Sequence, residues 1–138
     1  PQAYRTLASV LATELAQRPD ARAAATTAGE RWGQAAARTL AATAAGGGPD
    51  EAVDRLVELL DDAGFAPSRP GSGTDEIQLH RCPFGSLARE RGDIVCNVHL
   101  GLMRGALREL GAPLDAVSLE PFVEPRLCVA HLGVRDDH

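Results

Sequence analysis

The residues of this 138-residue sequence best able to do chemistry are three cysteines and four histidines. Cys82 stands directly before Pro83, at the end of a run in which Ile77, Leu79 and Arg81 alternate with Gln78, His80 and Cys82. Period-two alternation predicts a strand and puts His80 and Cys82 on one of its faces. The residue before a proline favours extended backbone, and proline itself suits the first turn of a helix. Cys82 is therefore expected to cap a helix over residues 83–90, where the helix N-terminus favours a thiolate. Cys96 falls early in the next expected helix, and His99, three residues on, shares its helix face. Cys128 lies in the last expected strand, with Leu127, Val129 and His131 pointing away from it.

Thiolates suit iron–sulfur clusters and zinc, and mixed thiol and imidazole sets suit zinc. If the last strand packs beside the two helix starts, Cys82, Cys96 and Cys128 converge, with His99 as a fourth ligand and His80 as its substitute. Spacing alone, with no Cys-x-x-Cys pair, leaves three readings open: a metal or cluster, buried thiols acting as small hydrophobes, or redox thiols. Cys96 and His99 as a nucleophile and base lack an orienting third group, so an enzyme is not expected. The carboxylates of Asp54, Glu58, Asp61 and Asp62 read as a solvated helix face, and Gly71 and Gly73 as part of a turn.

The elements that must position these residues follow from periodicity. Tyr4, Leu7, Leu11 and Leu15 recur at helical spacing, which predicts a first helix to about residue 17 with that stripe as its apolar face. Asp20 is expected to cap a second helix running to about residue 45. Gly29 and Gly33 flank Trp32 in it, and each costs about 1 kcal/mol against alanine unless another backbone or a ligand lies close. Pro49 with Asp50 and Glu51 opens a third helix, buried through Val53, Leu56, Val57 and Leu60 and closed by Gly64. A hairpin follows, with strands at 65–68 and 77–82 about a Pro-Gly turn at 70–73. Asp93 is expected to cap the helix carrying Cys96, with Gly111 and Pro113 ending it, and a second hairpin pairs 116–122 with 126–132. The class is α+β: an antiparallel sheet of about four strands in two hairpins, packed with about four helices, in one domain over residues 1–138.

Composition removes several functions. A net charge of −5, with no Lys and no run of Arg, gives the domain little reason to bind a phosphate backbone by itself. No apolar run is long enough for a membrane span. An odd cysteine count and the lack of a signal segment point to a reducing cytoplasm. The chain opens at Pro1 rather than Met, as expected for a fragment of a longer protein.

The run Cys82-Pro-Phe, then Asp93-Ile-Val-Cys96, then His99-Leu-Gly-Leu with Gly105, and finally Leu127-Cys128-Val resembles the C-terminal half of bacterial winged-helix regulators. These are of the ArsR/DeoR-like type and include the iron–sulfur-sensing repressors of the SufR group; the Gly29-Glu-Arg-Trp-Gly33 segment also fits actinobacterial members. The resemblance spans about residues 4–132 and implies an effector domain whose three cysteines hold a cluster. One cluster cysteine of some members has no counterpart here. It also implies a homodimer that contacts DNA only through an N-terminal domain lacking in this chain. A more distant similarity, to vinyl-reductase-type ligand-binding domains, implies an apolar pocket for a small-molecule effector near Trp32, Phe84, Leu102 and Met103, with structural thiols.

Overall fold

The computed structural model describes residues 2–41, 48–70 and 75–134. In order, the elements are α1 (Gln2–Leu15), α2 (Ala21–Ala41), α3 (Pro49–Asp62), β1 (Pro67–Ser68), β2 (Glu76–Leu79), α4 (Ser86–Glu90), α5 (Gly92–Glu109), β3 (Leu114–Glu124) and β4 (Leu127–Val134). The strands form one antiparallel sheet in the order β1-β2-β4-β3, so the two hairpins join through β2 and β4. This is the α+β class read from the sequence, with five helices among the described residues. Residues 42–45, expected to continue α2, the turn at 71–73 and the polar tail at 135–138 lie outside the described residues. None of the described helices is long and apolar enough to cross a membrane.

α3 shows how local sequence sets the frame. Pro49 opens it with Asp50 and Glu51 in its first turn, and Ala52, Val53, Leu56, Leu59 and Leu60 recur on its buried side. At its end Gly64 takes φ +96, its N–H bonds the Asp61 carbonyl, and the Phe65 N–H bonds that of Leu60. This pair of bonds caps the orphan carbonyls and carries Phe65 back over Leu60 into the core. The same closure recurs at Gly111 after α5, where Gly111 and Ala112 bond Arg108 and Leu107. Leu56, Leu60, Phe65, Ile77, Leu79, Leu102, Met103 and Leu107 are fully buried between α3, α5 and the sheet.

α2 and α5 run parallel at backbone contact. A Cβ on Gly29 would lie 2.0 Å from the Val98 carbonyl oxygen, and one on Gly33 would lie 2.0 Å from that of Leu102. In return, a Cβ on Gly101 or Gly105 would lie 2.1 Å from the carbonyl oxygen of Thr26 or Glu30 respectively. The close neighbour expected beside Gly29 and Gly33 is thus the α5 backbone, and four glycines admit it by omitting their side chains. The Arg108–Glu30 pair and Arg38 to Glu109, at 3.4 Å, tie the helices beside this seam.

α1 departs from its expected orientation. Tyr4, Leu7 and Leu11 are 74%, 54% and 60% exposed, and the helix instead buries Ala12, which meets Ala25 of α2 and Ile94 of α5. Of the expected stripe, Leu15 alone packs against that cluster, beside Ala16. Asp20 also departs from its expected role: its carboxylate accepts from the Arg18 guanidinium at 3.0 Å.

Candidate functional site

Cys82 lies beyond β2, where the hairpin pairing continues as the His80 N–H bonds Ala66 and the Arg81 N–H bonds Phe65. The Cys82 carbonyl then accepts the Gly85 N–H at 3.2 Å, closing a turn through Pro83 and Phe84. The helix expected from Pro83 therefore starts later, at Ser86, with Gly85 rather than Cys82 as its N-cap. Proline fixes the turn instead of opening the helix.

Cys128 faces Leu79 across the β2–β4 pairing and packs against the core. The β3–β4 register shifts between Glu120 and Glu124, and within that irregularity Phe122 adopts φ +51. Its N–H bonds the Cys128 sulfur at 3.4 Å, while its ring lies under the Arg89 guanidinium, 4.7 Å from the ring centre. Arg89 also donates to the Pro125 carbonyl at 2.9 Å. Phe122 and Arg89 therefore stand between two clefts: one of about 300 Å³ lined by His80, Cys82 and Cys128, and one of about 340 Å³ lined by Cys96. Neither residue was singled out in the sequence. The interruption of strand alternation at Pro121-Phe122 was the available signal.

Cys96 is half-buried near the start of α5. Burial pushes its thiol up to about 11, and the nearby Cys128, Cys82 and Asp93 push in the same direction. Cys96 is thus a neutral thiol at ordinary pH, desolvation and like charges acting in the same direction. The chain brings Cys82, Cys96 and Cys128 into one electrostatic neighbourhood. As placed, however, no three Cys, His, Asp or Glu side chains among the described residues form a group that could hold a metal ion.

The two candidate histidines separate. His99 is buried with its ring stacked on Phe65, centroids 4.0 Å apart, and its Nε2 has no partner. Burial lowers its pKa from 6.5 to about 3, so it is neutral in the folded chain at ordinary pH. Its expected place as a fourth ligand passes to the core packing. His80, the substitute, lines the thiol cleft and has its Nε2 2.8 Å from the Ser68 hydroxyl.

The residues expected to line an apolar pocket differ widely in exposure. Leu102 and Met103 are fully buried core, Phe84 is partly buried against that core, and Trp32 is 38% exposed at its edge. Trp32 meets Phe84 edge-on at 6.3 Å and lines a separate cleft with Leu40 and Leu59. Comparison with family models, curated proteins and solved structures finds no match.

Proposed function

We propose that this chain is the effector-sensing domain of a transcriptional regulator, and that Cys82, Cys96 and Cys128 hold an iron–sulfur cluster. The observation carrying this reading is the gathering of all three thiols, from the end of the β1–β2 hairpin, α5 and β4, around the Phe122 irregularity. Burial first, and then the neighbouring Cys128 and Cys82, disfavour an ionised Cys96, and a cationic centre would offset both while releasing protons. The donor chemistry suits iron–sulfur or zinc. His80, on the thiol cleft, is the better-placed additional ligand.

When bound, the cluster supplies a redox- and iron-sensitive tie between the two hairpins and α5. The chain's own part is to hold those elements in register, so that gain or loss of the tie favours one arrangement over another. DNA contact belongs to a separate domain, in keeping with the acidic charge of this one, and a dimer follows if that domain reads paired half-sites. Tyr4, Leu7, Val10 and Leu11 of α1 are exposed among the described residues. Sensing of an apolar effector is the second reading, and the cleft beside Trp32 is its remaining location.

Anaerobic reconstitution with iron and sulfide, followed by absorption spectroscopy and metal analysis, tests the first reading. The wild type should bind iron stoichiometrically and develop visible charge-transfer bands. Each of Cys82→Ala, Cys96→Ala and Cys128→Ala should lose both. Iron content in the wild type no higher than in the triple variant would sink the cluster.

A further inference from the structure

We propose that the cleft between the β2 end, α4 and the β3–β4 turn is a binding site for a small oxyanion carrying two or more negative charges. The cleft has about 300 Å³ and ten lining residues, among them Arg81, Arg89, Arg126 and His80, and none of the ten is Asp or Glu. In a chain with nineteen acidic side chains and fourteen arginines, three arginines line one cleft that no carboxylate lines. Across the described residues, no carboxylate lies within ion-pairing distance of Arg81, Arg89 or Arg126, although six other arginines have such a partner. Like charges held together without a counter-charge repel, and a bound anion removes that repulsion.

The geometry holds one of the three in place before any ligand arrives. Arg89 is fixed by the Pro125 carbonyl and by the Phe122 ring beneath it. Arg81 springs from a backbone position tied to Phe65, and Arg126 from the turn that β3 and β4 share. Guanidinium forks match phosphate and carboxylate oxygens in pairs, which a point charge such as an ammonium does not. The volume sits at the lower end of small-molecule sites, so pyrophosphate-sized or citrate-sized anions suit it. This inference needs only the arginines and does not rest on the cluster, although Cys82 and Cys128 line the same cleft.

Titration calorimetry of the metal-free chain with pyrophosphate and with citrate, at ionic strength matched by sodium chloride, tests it. At least one anion should bind saturably at one per chain, weakening as salt rises. Removing two charge-assisted partners in Arg81→Gln/Arg126→Gln should weaken binding by roughly a hundredfold. Arg22→Gln/Arg31→Gln makes the same change in net charge at exposed positions of α2 and should leave affinity within about twofold of the wild type. Cys82→Ser/Cys128→Ser should retain the anion while losing iron, which separates this proposal from the preceding one. No saturable heat, equal affinity in the Arg81/Arg126 variant, equal weakening in the Arg22/Arg31 variant, or loss with the thiols would each overturn it.

Discussion

Along α5, the stretch from Val98 to Gly105 lies backbone against backbone with α2, whereas the turn that carries Cys96 looks onto one of the two clefts that Phe122 separates. At its four glycines the seam has no side chain to remove, and carbonyl oxygens of the facing helix occupy the space where four Cβ atoms would stand. The second is lined by thiols, guanidiniums and a backbone irregularity, held by single hydrogen bonds and one cation–ring contact. The difference teaches where each kind of substitution acts. At the seam adding atoms is destructive, and at the thiol end exchanging atoms leaves the fold standing but changes what can bind.

Four measurements break or sharpen that contrast. The largest effect belongs to Gly33→Ala. Helix propensity alone would stabilise it by about 1 kcal/mol, yet the new Cβ meets the Leu102 oxygen at 2.0 Å, so a net loss of about 3 kcal/mol is expected. Urea denaturation reads the sign directly; a gain would mean that the helices separate freely. His99 comes next. Its folded pKa of about 3 lies below its unfolded value near 6.5, so the unfolded chain binds the extra proton between these values. The stability it contributes is complete above pH 6.5 and is lost as pH falls toward 3, with a slope of up to about 1.4 kcal/mol per pH unit and a loss of about 1.4 kcal/mol at about pH 5.5, where the comparison is made. Subtracting the pH profile of His99→Leu isolates that slope, and identical slopes would place the ring in water.

Arg89→Ala should cost about 1–2 kcal/mol through its bond to Pro125 and its contact with Phe122, measured by thermal melting. Cys82→Ser is the smallest, within about 0.5 kcal/mol of the wild type by the same measurement, because the side chain is only partly buried in a turn. A loss as large as that of Gly33→Ala would erase the distinction between the two regions.

Much of the frame was legible because it depends on local chemistry. Gly64 and Gly111 mark helix ends where positive φ is required, and the alternation through Ile77 and Leu79 gives the strand its buried face. The glycines about Trp32 announced a close neighbour, though not which helix supplied it. α1 was misread for a physical reason: periodicity shows that Tyr4, Leu7 and Leu11 share a face, but only the packed chain shows that Ala12 faces inward. The three thiols were individually visible. Their arrangement depends on the β2–β4 pairing and on the positive φ of Phe122, a nonlocal register and a backbone exception that side-chain identity does not encode. The burial of His99 was hidden for a related reason, since its position beside Cys96 on the helix says nothing of Phe65, which arrives from α3's end to stack on it.

The chain's single indole gives this interior an optical readout. Trp32 is partly in water and abuts Phe84, which meets Phe65 edge-on at 5.8 Å, and Phe65 in turn stacks on His99. A shift in that train of rings alters the polarity around the indole, so its emission maximum registers repacking from α2 to the middle of α5 with no attached dye.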